Sequence, residues 1–124
     1  MGIYGIDWSK GEEGLTEEDY AIIFVKATEI INTNEPKELL PGAYYDRGII
    51  YYSRDDYDNA IFDFTTAIQL CCKHLAAAYY NRGLAFYCKK QYEFALSDFY
   101  NAKRINPKDI EIENMIQQTN KLKI

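Results

Sequence analysis

The chain repeats itself at a fixed interval of 35 residues. Residues 43–70 align with residues 78–105 without a gap, and 11 of the 28 aligned positions are identical. Self-similarity at a period of about 20 to 50 residues is typical of proteins built by stacking one small structural unit. Each unit in such an array contacts mainly its neighbours, and the stack presents an extended binding surface. The repetition therefore favours an array that binds other molecules over an enzyme.

Each repeated unit contains two apolar stripes separated by a short polar turn. In the first unit, one stripe begins at Tyr44 and ends before the turn at residues 53–56, and a second stripe begins at Tyr57. The second unit has the same arrangement around a turn at residues 88–91. Apolar residues that recur every three or four positions indicate an amphipathic helix. Each unit is therefore predicted to be a helix, a tight turn and a second helix.

The residue types at fixed places in both units resemble the tetratricopeptide repeat family. The signature is carried by Tyr44, Gly48, Tyr51, Ala60, Phe64 and Ala67 in the first unit, and by Tyr79, Gly83, Phe86, Ala95, Phe99, Ala102 and Pro107 in the second. The resemblance implies an all-α fold, a short right-handed solenoid of helix-turn-helix repeats with a capping helix at each end. The chain departs from the family pattern at Cys72, which replaces a closing proline, and at Arg47 and Arg82, which replace a leucine.

The remaining residues are interpreted around these two units. The predicted segments are a mobile tail at 1–14, an N-terminal helix and linker at 15–40, the units at 41–75 and 76–109, and a capping helix at 110–124. Thr16 and Asp19 have the spacing of a capping box, which predicts a helix start. That helix is either the second helix of a degenerate repeat or a plain cap. The tail has an alternative role, which is to cover an exposed end of the array with Ile3, Tyr4, Ile6 and Trp8.

Two pairs of opposite charge recur at the same places in both units. Arg47 precedes Asp63 by 16 residues, and Arg82 precedes Asp98 by the same number. In a helical hairpin this separation brings the middle of the first helix near the middle of the second. We expect a partly buried ion pair in each unit, although Asp63 has the alternative of reaching forward to Arg82. Either arrangement is structural and fixes the register of the helices.

The first helix of each unit lines the concave side of the array in this family. The side chains expected to face away from the second helix and to form a peptide-binding surface are Tyr45, Ile49, Tyr52, Tyr80, Asn81, Leu84 and Tyr87, which we call the tyrosine groove. Tyrosine combines a large apolar body with a polar tip and is common at interfaces. An extended or helical peptide with apolar anchors fits such a surface. The alternative is that these tyrosines pack against the N-terminal helix or one another.

One subclass of the family holds the C-terminal carboxylate of chaperone tails with lysine, asparagine and arginine side chains. Tyr45 and Ile49 stand at the matching sites here, and Asn81 alone agrees. We therefore do not expect a chaperone-tail clamp.

Composition and motif spacing argue against several other classes of function. The net charge of −5 disfavours binding to a phosphate backbone, and the local basic residues Lys89, Lys90, Lys103, Arg104 and Lys108 are interpreted as a solvated face. Cys71, Cys72 and His74 lack the spacing of a zinc site, so no metal or cofactor is expected. The three cysteines are interpreted as free thiols in a reducing compartment, the cytoplasm. No segment is long and apolar enough to cross a membrane.

The leading hypothesis is a non-catalytic adaptor that binds a peptide or protein partner in the tyrosine groove. The first alternative is a self-associating protein that forms homo-oligomers through exposed ends of the solenoid. A second alternative is an enzyme or regulatory thiol protein, and it requires an exposed cysteine of lowered pKa.

Overall fold

The computed structural model describes residues 14–123, and these form six α-helices that follow one another along the chain. The bounds are α1 Glu17–Thr33, α2 Leu40–Ser53, α3 Tyr57–Gln69, α4 Leu75–Cys88, α5 Tyr92–Ile105 and α6 Ile110–Leu122, with a short 3-10 helix at Lys37–Leu39. Each α-helix packs against the next one in the sequence, in antiparallel pairs. The predicted all-α fold of stacked helical hairpins is confirmed.

The helix starts and turns follow from local residue chemistry. The side chain of Thr16 accepts a hydrogen bond from the backbone N–H of Asp19, and the Asp19 carboxylate accepts one from the N–H of Thr16. This is the predicted capping box, and it satisfies two backbone donors that α1 leaves free. α2 and α4 end alike, because Asp55 and Lys90 both adopt a left-handed conformation, with φ of 60° and 63°. The turns at the tips of both hairpins therefore have the same shape.

The buried residues form three clusters along the array. The first cluster joins α2 and α3 to the start of α4, and the second joins α5 and α6. Between α1 and α2, Tyr20 and Ile23 pack with Ile50, and Leu15 lies against them. Leu15, which precedes the N-cap of α1, therefore adds to the apolar contact between α1 and α2. Every helix thus buries one face against a sequence neighbour, as a linear array requires.

A glycine in each first helix lets the second helix of the hairpin approach closely. A Cβ atom added at Gly48 would lie 2.8 Å from the ring of Phe64, and one at Gly83 would lie 2.7 Å from the ring of Phe99. Both rings are fully buried and have no free space to move into. The two hairpins therefore share one close packing contact, which the repeated glycine and phenylalanine make possible.

A forked ion pair joins the two helices of each hairpin. Arg47 donates from Nε to Oδ2 of Asp63 over 2.7 Å and from Nη2 to Oδ1 over 2.9 Å. Arg82 makes the same two contacts with Asp98, over 2.9 and 2.7 Å. The carboxylates are only 1% and 2% exposed. Burial raises the pKa of both aspartates, and the hydrogen bonds from the guanidinium oppose that rise.

Each of these arginines also contacts the helix that precedes its own helix in the sequence. Arg47 Nη1 lies 3.5 Å from the Thr28 hydroxyl of α1, and Arg82 Nη1 lies 3.0 Å from the Thr65 hydroxyl of α3. α1 therefore stands toward α2 as α3 stands toward α4. The Arg47 guanidinium also lies near two aromatic rings of its own helix, 5.9 Å from Tyr44 and 5.6 Å from Tyr51. One guanidinium group thus contacts three helices.

The close glycine contact predicts opposite effects for alanine at two positions of α2. Gly48→Ala forces the new methyl group against the buried Phe64 ring, and we expect the free energy of unfolding to fall by about 1–3 kcal/mol. Gly42→Ala is the matched control, because a Cβ there meets nothing within 4 Å. Alanine in a helix interior is favoured over glycine, so this variant is expected to be up to about 1 kcal/mol more stable. Urea denaturation measures both, and equal stabilisation by the two changes would contradict the packing argument.

The buried fork predicts a large loss of stability when its carboxylate is removed. Asp63→Ala leaves Arg47 without its counter-ion in a site where 14% of the arginine side chain is exposed. We expect the free energy of unfolding to fall by about 3–5 kcal/mol, measured by urea denaturation. Glu29→Ala, which removes the exposed ion pair with Lys26, is the control, with an expected loss below about 1 kcal/mol. A similar small loss in both variants would mean that the fork is not a stabilising contact.

Candidate functional site

Two residues of the tyrosine groove lie beneath its surface. Tyr45 is 3% exposed and Ile49 is 8% exposed, and both belong to the cluster that contains Ala60 and Phe64 of α3. The ring of Tyr45 lies 5.9 Å from that of Phe64 and 5.5 Å from the imidazole of His74. The expectation that Tyr45 and Ile49 face away from the second helix is therefore wrong. The hairpin and the connection to α4 close over them, so these two residues lie beneath the predicted binding surface, and we call them the floor residues.

The other apolar members of the groove are half-buried along α2 and α4. The ring of Tyr52 lies 5.6 Å from Tyr57, and the ring of Tyr87 lies 5.7 Å from Tyr92 at the equivalent place. Tyr80, Leu84 and Tyr87 pack against the second buried cluster. Each of these side chains has one side fixed by packing and another side in contact with solvent. We call them the wall residues of the predicted groove.

Tyrosine hydroxyl groups connect the successive first helices. Asn81 Nδ2 of α4 donates to the Tyr45 hydroxyl of α2 over 3.3 Å. The Tyr52 hydroxyl lies 3.8 Å from Cys88 Sγ, again between α2 and α4. The Tyr80 hydroxyl donates to Glu111 Oε1 of α6 over 3.2 Å. The tyrosines therefore pack along the array and contact the next first helix, as well as lining the groove.

Burial changes the acidity of these tyrosines. It is the largest cause that raises the pKa of Tyr45, Tyr52 and Tyr80 above the usual value. For Tyr80, the charges of Glu111 and Asp109 act in the same direction. All three hydroxyls therefore stay protonated at neutral pH, and each already has a hydrogen-bond partner on another helix.

Two residues of α6 lie next to the predicted groove residues and were missed by the sequence analysis. Glu111 meets Tyr80 through its carboxylate, and Met115 packs with Leu84 against the second cluster. The sequence analysis treated residues 110–124 only as a capping helix. The position of Glu111 in the sequence could have indicated this contact. Glu111 lies 34 residues after Ala77 of α4, which is close to the repeat interval of 35 residues, so α6 occupies the place of a further first helix.

Burial and ion pairing account for several residues of the cysteine and basic groups. Burial raises the pKa of Cys72 to about 11, so its thiol is not a thiolate nucleophile at neutral pH. No group of three or more potential metal ligands occurs within residues 14–123. In the basic group, Lys89 pairs with Asp58, and Lys103 pairs with Glu113 over 2.7 Å. These lysines are partly neutralised by helix-to-helix ion pairs.

A shallow cleft lies away from the groove. It has a volume of about 500 Å³ and is lined by residues 90–94 together with Leu122 and Lys123. It contains none of the predicted groove residues. In the part of the chain that the structure describes, no helix is long and apolar enough to span a membrane.

The fold and the groove define a helical repeat array whose first helices share a tyrosine-lined surface. The sequence matches the tetratricopeptide repeat over residues 41–71 and 76–109, which together make up more than half of the chain. The chain belongs to the tetratricopeptide repeat family. A search of curated proteins found no match. Tetratricopeptide repeats are typically protein–protein interaction modules and are usually non-catalytic.

Proposed function

We propose that this chain is a non-catalytic adaptor that binds a peptide segment of a partner protein in the tyrosine groove. The carrying observation is the row of half-buried side chains, Tyr52, Tyr80, Leu84 and Tyr87, on two neighbouring helices. Packing on one side fixes their rotamers, so little side-chain freedom remains to be lost on binding. Aromatic side chains held in this way dominate many protein interfaces.

The groove residues have two different roles under this proposal. The wall residues contact the partner directly. Tyr45 and Ile49 support the wall from beneath, and Asn81 fixes the tip of Tyr45. The three free cysteines suit a reducing compartment, and we place the adaptor in the cytoplasm.

A second candidate function is self-association through the ends of the array. Ile22 and Val25 of α1 are 49% and 62% exposed, and Ile110 and Leu122 of α6 are 75% and 48% exposed. Large apolar side chains on the two terminal helices favour contact between copies of the chain, because each repeat is stabilised by a neighbour.

The adaptor proposal predicts that peptide binding depends on the groove wall. Short random peptides displayed on phage are selected on the immobilised chain, and an enriched peptide is synthesised. We expect Tyr87→Ala to weaken its binding by about tenfold or more in fluorescence anisotropy, since a fixed aromatic anchor is lost. Phe62→Ala is the matched control, because this phenylalanine of α3 is 63% exposed and lies outside the groove. The absence of any enriched peptide, or equal binding by both variants, would refute the proposal.

The self-association candidate predicts a mass that rises with concentration. Light scattering across a concentration series is expected to show oligomers for the intact chain, and Val25→Glu together with Ile110→Glu is expected to shift it to monomer, since charges replace the exposed apolar contacts. Phe62→Glu adds a charge away from the terminal helices and serves as the control. A concentration-independent monomer would leave the adaptor as the single remaining proposal.

A further inference from the structure

The groove has an electronegative corner at the tip of Tyr80. The Tyr80 hydroxyl donates to Glu111 Oε1, and Glu111 is exposed to solvent. Asp109 is close by as the N-cap of α6, where its Oδ1 accepts from the backbone N–H groups of Glu111 and Ile112 over 2.9 and 3.3 Å. Both carboxylates, together with burial, raise the pKa of the Tyr80 hydroxyl. The corner is therefore a place of negative potential.

Glu111 and Asp109 form no ion pair within residues 14–123. Among residues 14–123, lysines and arginines form ion pairs with Glu29, Asp58, Asp63, Asp98, Glu113 and Glu93, and none pairs with Glu111 or Asp109. The tyrosine faces next to the corner also attract cations through their π-electrons. The net charge of −5 adds a general preference for positively charged partners.

An apolar position lies one helical turn away from the corner. Leu84 follows Tyr80 by four residues on α4, and Met115 follows Glu111 by four residues on α6. Both are half-buried against the second cluster. Four residues rise about 6 Å along a helix axis. The charged corner and the apolar position are therefore separated by about 6 Å along the helices. Side chains at i and i+4 of a helix, or at i and i+2 of an extended strand, have a similar spacing.

We propose that the groove, in its role as the peptide-binding site, selects segments in which a lysine or arginine pairs with Glu111 and a large apolar side chain two or four positions away contacts Leu84 and Met115. This inference rests on the proposed adaptor function and adds the chemistry of the partner to it. An acidic or carboxylate-terminated segment is disfavoured, because its charge meets Glu111 and Asp109 without a compensating cation.

The test compares selections of displayed random peptides on four immobilised chains: the unaltered chain, Glu111→Gln, Glu111→Lys and Glu29→Gln. We expect peptides enriched on the unaltered chain to carry a basic residue two or four positions from a large apolar residue. Glu111→Gln is expected to weaken the synthesised peptide by about twofold to fivefold, as for a solvated ion pair. Glu111→Lys is expected to weaken it by about tenfold or more and to select acidic residues instead, because like charges repel.

Glu29→Gln removes an exposed carboxylate of α1 outside the groove and is expected to leave selection and affinity unchanged. Circular dichroism verifies that each variant keeps its helical content. Enriched peptides without a basic residue, or basic peptides selected equally well on Glu111→Lys, would overturn this inference. If those same peptides still lost affinity in Tyr87→Ala, the adaptor proposal would stand alone. Failure of all four chains to enrich any peptide would overturn both.

Discussion

The guanidinium groups of Arg47 and Arg82 fix the relative position of the helices around them. Each forms a bidentate contact with an aspartate of its own hairpin. Each also contacts a threonine of the helix that precedes its own in the sequence. A planar fork accepts only a narrow range of orientations, so it specifies register as well as attraction. The family pattern has leucine at this place, and a leucine here would leave the buried Asp63 or Asp98 without a partner. The buried aspartate of each pair therefore explains why arginine replaces the leucine of the family pattern.

The fork also determines where the tyrosines of the groove lie. Because it holds the two helices of a hairpin in register, Gly48 meets the Phe64 ring, and that ring in turn supports Tyr45. The same sequence of contacts recurs at Gly83, Phe99 and Tyr80. The positions of the tyrosines therefore depend on the same helix pairing that the ion pair holds together.

The repeat interval was enough to predict the hairpins and their turns, and the spacing of Thr16 and Asp19 was enough to predict the capping box, since those features depend on residues close together in sequence. The repeat interval did not predict that Tyr45 and Ile49 are buried. Helical spacing shows which face of α2 carries Tyr45 and Ile49, but the residues that bury them come from α3 and the connection to α4. The contact between Tyr45 and Asn81 spans 36 residues. Such contacts depend on how successive hairpins stack, which a periodic pattern does not specify.

The relation between α1 and the repeats was hidden for a different reason. Arg47 and Thr28 are 19 residues apart, whereas Arg82 and Thr65 are 17 apart. The segment from Thr28 to Arg47 is therefore two residues longer than the segment from Thr65 to Arg82, and an alignment at a constant interval does not include α1. Lys26 stands two residues before Thr28, as Asp63 stands two before Thr65. Lys26 is exposed, and as a cation it cannot form the ion pair with an arginine that Asp63 forms with Arg47. α1 therefore has the threonine that contacts the arginine of the next helix, and it has Lys26 where α3 has the aspartate of the ion pair.

Three groove tyrosines have their hydroxyl groups engaged by the next first helix. A partner in the groove therefore meets mainly ring faces and edges, with few free hydroxyl groups to bond. Apolar contact with such rings is tolerant of sequence, because it has little directional requirement. A charged contact at one fixed point restricts both the direction and the register of a bound segment. Under the proposed function, Glu111 at the start of α6 is the residue whose charge meets that requirement.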